Sequence, residues 1–193
     1  LLIFRSWRGA LICSAPAIVS VAWYFGLLAL LDIEVDFLTT IVPTMVMVLA
    51  FADAVHIHFA VVRARSSTPD LRQAVIEGLR VAGPACAMTS LTTAAAFVGI
   101  GIGAAATMSK LAIAGSAGVM LGLVAVLVLQ PVLTVLLGVG RVPQEGAAPL
   151  PLRWPAIVGR AALSRSSLVF ALSLAVFAFF VYAHFQVRVE FRI

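Results

Sequence analysis

The chain has 193 residues, 63% hydrophobic and 11% charged, with a formal net charge of +5 and a mean hydropathy of +1.13. An ordinary soluble domain is roughly 45–50% apolar and about 25% charged, so a water-soluble fold of this size is excluded: too few charges face too much surface. The positive balance does not mark a nucleic-acid binder either, because the basic residues form no stripe with interleaved aromatics and sit between apolar stretches instead.

In chain order, the sequence opens on Leu1-Leu2-Ile3-Phe4, without an initiator Met, and reads as the tail of an earlier span. Five stretches then reach the ~20 apolar residues that a spanning helix needs: 10–31, 37–62, 80–103, 110–138 and 166–185. Arg5 and Arg8 precede the first. Arg63, Arg65, Arg72 and Arg80 lie between the second and third, and Arg141, Arg153, Arg160 and Arg165 between the fourth and fifth. On the other side stand Lys110, Arg188 and Arg192 with Asp32, Glu34 and Asp36, a division of 10 basic residues against 3. The positive-inside rule puts the first group in the cytoplasm.

Between the second and third spans, residues 68–80 form an amphipathic segment. Thr68 or Asp70 can cap it, Pro69 suits a first turn, and Leu71, Val75, Ile76 and Leu79 share a face. It is expected to lie along the membrane surface. Pro43 and Pro84 are expected to begin or bend their helices. The prolines and glycines of 140–155 read as a linker, and the period-two alternation of 186–193 as the start of a β-strand. The fold expected is thus all-α, a polytopic transmembrane helix bundle with a short strand at its C-terminus.

Small residues recur at helix-contact spacing: Ala114, Gly118 and Gly122, and likewise Gly99 and Gly103. Such spacing lets two helices approach closely in lipid. Gly99-Ile-Gly-Ile-Gly103 lacks the strand-turn-helix context of a nucleotide fingerprint. Cys13 and Cys86 fall in apolar stretches without metal-ligand spacing and read as small core residues. No cofactor motif is present in the sequence.

Asp53 is the residue that needs an explanation. It lies well inside a span, where a carboxylate costs at least ~2.5 kcal/mol, so either a buried partner or a function is expected. His56 falls three residues on, on the same side of the helix, and a His exchanges protons near neutral pH. His58 points elsewhere, against a two-histidine metal site. In the next span Thr89, Ser90, Thr92 and Thr93 cluster. Their hydroxyls either reach Asp53 from a facing helix or satisfy carbonyls of their own helix.

The order of these features resembles a known family. A basic Phe4-Arg-Ser-Trp-Arg-Gly9 turn leads into a span, and an acidic turn, Leu31-Asp-Ile-Glu-Val-Asp-Phe37, leaves it. There follow Asp53-Ala-Val-His56, an amphipathic segment, Met88-Thr-Ser-Leu-Thr-Thr-Ala-Ala-Ala-Phe-Val-Gly99 and Leu129-Gln-Pro-Val-Leu133. This looks like the resistance-nodulation-division superfamily, in its MmpL, hopanoid-exporter and Patched-like branch, which shares the sterol-sensing domain. The resemblance implies that 1–138 hold the end of helix 2 and helices 3–6 of a first half. It makes 139–165 a cytoplasmic linker, 166–185 the first helix of the second half, and 186–193 the start of a second periplasmic porter domain.

It further implies proton-driven export of lipids or other hydrophobic molecules across the inner membrane. The implied proton relay is Asp53, with His56, Thr89, Thr92 and Thr93 around it. Many members have Asp-Tyr where this chain has Asp53-Ala54. Expected partners are the bilayer, protons, a hydrophobic or lipid substrate and the second half of the same polypeptide. A homo-oligomer is compatible with this list and nucleic acid is not. The rival reading is a sterol- or lipid-sensing scaffold that does not pump. An intramembrane aspartyl protease needs a second deep Asp, and Ser116 in Gly115-Ser-Ala-Gly118 is misplaced for a serine elbow.

Overall fold

In the computed structural model, the described residues are 7–102 and 106–138, together with residues 164, 167, 168, 171, 174 and 175, all six of them helical. The segment 1–4, Gly103, most of the expected linker 139–165, most of the expected span 166–185 and the strand expected at 186–193 lie outside the described residues. Among the described residues there are four long helices: α1 (Trp7–Leu30), α2 (Val42–Ser67), α3 (Leu71–Gly101) and α4 (Ala106–Leu137). Each is long and apolar enough to cross a membrane. The all-α, polytopic bundle expected from the sequence is therefore the fold of the described residues.

Helices α2 and α4 form the centre. Each packs against the other three of these helices, whereas α1 and α3 flank the pair and do not meet. The chain runs up and down, which leaves an arginine-rich end and an acidic end. At the arginine-rich end, Arg8 Nη1 donates to the Leu137 carbonyl at 3.3 Å, tying the start of α1 to the end of α4. There too, the Arg65 guanidinium donates to the carbonyls of Thr68 and Pro69 and closes the α2–α3 turn.

At the acidic end the turn is built by local bonds. Asp32 takes φ +52° after the last turn of α1. The Ile33 N–H returns to the Leu28 carbonyl and the Asp32 N–H to that of Ala29, a Schellman closure. Ile33 then packs against the apolar cluster of Tyr24, Leu28 and Val42. Asp36 and Thr39 cap the next segment reciprocally. Thr39 N–H donates to Asp36 Oδ1 at 2.8 Å, and Asp36 N–H donates to Thr39 Oγ1 at 2.8 Å. A 3-10 turn, Thr39–Ile41, leads into α2, with Pro43 in the first turn where its missing N–H costs nothing.

The surface helix expected over 68–80 is not a separate element. Asp70 is the N-cap, its carboxylate accepting from Arg72 N–H at 3.1 Å, and the helix it starts runs unbroken to Gly101. Pro69 precedes the cap, and Thr68 instead ends α2. The amphipathic stretch is thus the first third of α3, projecting past the ~30 Å that a bilayer core accommodates. It is held upright by α2: an added Cβ at Gly78 would meet Val61 Cγ2 at 2.5 Å. Val75 is buried and Leu71 and Leu79 are half-buried, as one-sided patterning requires, but Ile76 is 65% exposed and its place is taken by Ala74 and Gly78. Pro84 does not interrupt α3. It removes one backbone bond, at the Arg80 carbonyl, on an exposed part of the helix.

The stripe of α4 packs as its spacing says. Ala114 is fully buried, Gly118 lies against Tyr24 and Val46, and Gly122 faces Val46, Ala50 and Ser20. Of the other pair, Gly103 lies outside the described residues. Gly99 is exposed with nothing near its missing Cβ. The close approaches between α3 and α4 are made instead at Gly115, against the Phe97 ring, and at Gly101, where a Cβ would meet that of Ala112 at 2.6 Å.

Candidate functional site

Apart from Ser20, which donates to the Ala17 carbonyl, and Thr39 in the acidic-end turn, the buried polar residues among those described lie on or near one stretch of α2, Asp53 to His58. Asp53 is 8% exposed. Ser90 Oγ on α3 donates to its Oδ2 at 3.3 Å, and Cys86 Sγ, one turn earlier on α3, approaches the Asp53 backbone carbonyl at 3.8 Å. The adjacent carbonyl, that of Ala54, is contacted from the two remaining helices. Cys13 Sγ on α1 lies 3.7 Å away, and Gln130 Nε2 on α4 donates to it at 2.5 Å. Thr134 Oγ1 in turn donates to the Gln130 carbonyl at 2.7 Å. The three other helices, α1, α3 and α4, therefore each send a polar side chain to two consecutive residues of α2.

The local sequence explains why this works. Ala54 carries no side chain bulk, so neighbouring side chains can reach its carbonyl. Ala50, Ala54 and Ile57 place small and apolar surface on the buried stripe of α2, and Cys13, Ala17 and Val126 pack against it. The two cysteines are free and buried. They serve here as small core residues that also satisfy backbone acceptors.

Of the four threonine and serine hydroxyls in α3, Ser90 is the one bonded to Asp53. Thr89 donates to the Cys86 carbonyl at 2.9 Å, Thr92 to those of Met88 and Thr89, and Thr93 to that of Thr89 at 2.8 Å. These three satisfy their own helix, as hydroxyls within a helix commonly do. The two histidines are also arranged differently from expectation: His56 is exposed, and His58 is the buried one at 4% exposure. Sequence reasoning thus had Ser90 in the cluster without singling it out as the partner and Gln130 in a motif without a contact, and it missed His58 as the interior histidine and Thr134. The signal for Gln130 was present. Gln130 is the one amide side chain within the very apolar 110–138 stretch, a polar residue where the insertion cost asks for a reason.

Among the described residues, the carboxylate lies in a largely buried layer with a neutral hydroxyl donor and no cation bonded to it. Such a group is stable as a carboxylic acid, and is stable as an anion only when water or a partner reaches it. The acidic end presents a different feature, a cleft of about 340 Å³ between α3 and α4. Val98, Gly101, Ala112 and Ile113 line it, with Ser109 and Ser116 supplying hydroxyls.

Residues 7–137, the whole of the four-helix bundle, match the family model described as the sterol-sensing domain of SREBP cleavage-activation. No curated protein and no solved structure matches the chain.

Proposed function

Proceeding from the premise that this chain belongs to the sterol-sensing domain family and is a multi-pass membrane protein, we propose that it forms the helix bundle of a proton-driven exporter of lipids or other hydrophobic molecules. The observation that carries this is Asp53, a carboxylate buried between α2 and α3 that accepts from a serine hydroxyl of α3. Gaining or losing a proton there changes the net charge of a layer to which all four helices contribute. The two forms then favour different helix arrangements, and that difference in free energy is what couples proton movement to a conformational cycle. In this reading the protein acts on no covalent bond and is not an enzyme. It sits in an inner membrane with its arginine-rich end in the cytoplasm, and its working partners are the bilayer, protons and a second half of the same polypeptide, with homo-oligomers compatible.

The cleft at the acidic end supports a second reading, a lipid-sensing protein that binds its ligand in the bundle and does not pump. Vesicles containing the full-length protein separate the two. Export driven by an imposed pH gradient supports the exporter. Saturable lipid binding with no gradient-dependent movement leaves the sensor.

A further inference from the structure

Three of these four helices carry an interior proline: Pro16 in α1, Pro84 in α3 and Pro131 in α4, whereas the proline of α2 stands in its first turn. All three interior prolines lie within about one turn of the Asp53 layer. Pro16 follows Cys13, whose Sγ lies 3.7 Å from the Ala54 carbonyl, and Pro131 follows Gln130, whose amide donates to the same carbonyl. Pro84 precedes Cys86, whose Sγ lies 3.8 Å from the Asp53 carbonyl. Each ring removes one backbone bond, at the carbonyls of Ile12, Arg80 and Leu127, and presses against the carbonyl that it leaves.

Hydroxyls loosen the same stretches of α1 and α4. Ser14 Oγ donates to the Ala10 carbonyl at 2.6 Å and Thr134 Oγ1 to the Gln130 carbonyl at 2.7 Å, each four residues back. Such bonds bend a helix. At this level α1 and α4 are therefore pliable, and α2 runs through unbroken. The start of α3 goes with α2: a Cβ at Gly78 would meet the Val61 backbone at 2.8 Å, and Arg65 closes the turn onto Thr68 and Pro69. The pliable helices are tied to each other by Arg8 Nη1 on the Leu137 carbonyl. The arginine-rich end thus consists of two tied pairs, α1 with α4 and α2 with α3. On the acidic side of the layer, Gly118 and Gly122 seat α4 closely on Tyr24, Val46 and Ser20.

We propose that α1 and α4 hinge together at Pro16 and Pro131, so that their arginine-rich ends swing as one unit away from α2 and α3. This rests on the exporter reading and names the two helix arrangements that it needs. In the closed arrangement seen in the structure, Ala54, Ile57 and Val61 of α2 are at most 1% exposed. The swing lifts Cys13 and Gln130 from the Ala54 carbonyl and opens the bundle from the arginine-rich end as far as the Asp53 level. Water and protons then reach the carboxylate from that end alone, because the tight contacts of Gly118 and Gly122 keep the acidic half shut.

The test is spin-label distances in the full-length protein in phosphatidylethanolamine–phosphatidylglycerol vesicles, with gradient-driven export measured alongside. Labels at Gln73 and Leu136 span the opening, and labels at Leu11 and Leu136 stay within one pair; all three positions are exposed. The wild type is expected to show two Gln73–Leu136 distances and one Leu11–Leu136 distance. Pro16→Ala/Pro131→Ala restores both backbone bonds, and is expected to keep only the shorter Gln73–Leu136 distance and to lower export several-fold. A single Gln73–Leu136 distance in the wild type, two that survive in the double variant, or two Leu11–Leu136 distances overturns the hinge. Should the double variant fail to fold, Pro131→Ala carries the same test alone. Asp53→Asn tells the two failures apart. Wild-type export from it removes the exporter reading and the hinge with it, whereas absent export from it beside unchanged distances in the proline variant removes the hinge alone.

Discussion

The Ser90 hydroxyl on α3 donates to Asp53 Oδ2 on α2 across 3.3 Å, in a layer where the carboxylate is 8% exposed. A hydroxyl supports the charged carboxylate as a donor, and it accepts from the protonated form by turning about its own bond. Ser90 can therefore stay bound to Asp53 through a change of charge, which a cation in the same place would resist.

Ser90→Ala removes that donor while leaving the packing nearly intact. Interhelical hydrogen bonds in membranes are worth ~0.6–2 kcal/mol, so export by the full-length protein should fall several-fold. Thr92→Ala and Thr93→Ala should export as wild type, because their hydroxyls are spent on carbonyls of α3. Side-by-side export rates check this. Equal losses from all three would show that the cluster acts as a whole.

Glycines separate by position rather than by spacing. At Gly118 an added Cβ would come within 2.8 Å of Tyr24 Cδ2 and 3.1 Å of Val46 Cγ2, with the Tyr24 ring fully buried. Gly118→Ala should cost about 1–3 kcal/mol through overpacking. Gly99→Ala meets nothing within 4 Å and should be neutral, or stabilising by up to ~1 kcal/mol from helix propensity. Denaturation in detergent measures both.

The upright start of α3 depends on Gly78 lying against Val61. Gly78→Val should lever residues 71–80 away from the end of α2, because the blocking atoms include the Val61 backbone at 2.8 Å. Spin labels at the exposed positions Arg63 and Gln73 should report a longer distance in the variant. An unchanged distance would mean that the α2–α3 turn alone sets the geometry.

The Thr39 N–H and hydroxyl hold the Asp36 carboxyl below the usual carboxylate range. A group depressed in the folded state stabilises it above the unfolded value, about 3.9, and that contribution drains away as pH falls through the folded value. Hydrogen exchange at the Thr39 amide should therefore be slow near neutrality and gain protection loss in strong acid. Asp36→Ala should show the unprotected rate, corrected for intrinsic exchange, across the whole range.

Much of the bundle was legible because insertion into lipid demands long apolar runs, and arginines mark one end of each. The stripe Ala114, Gly118, Gly122 was legible for the same reason that it packs: only small residues at that spacing admit a neighbouring backbone. What spacing could not say is which face of an apolar helix is inside. Lipid and protein interior are equally apolar, so the patterning that orients a helix in a soluble protein is nearly absent here. Gly99 against Gly115, and the threonines against Ser90, were undecidable on that account. So was His56 against His58: both histidines sit on α2, and only the packing of α1 and α4 on Ala54 turns the second one inward. The merging of 68–80 into α3 was hidden differently. One-sided patterning describes a helix lying on lipid and a helix standing against another helix equally well, and Gly78 against Val61 decides between them.

The central claim is that a proton on Asp53 drives movement of substrate, and the direct measurement is export from vesicles by full-length Asp53→Asn under an imposed pH gradient. The substitution keeps the shape of the side chain and a contact for Ser90 but cannot titrate. The account predicts that the variant inserts and folds as wild type, still binds its hydrophobic substrate, and shows no gradient-dependent export. Export at the wild-type rate, with the wild-type response to the gradient, would contradict it and leave Asp53 as a residue that joins α2 to α3.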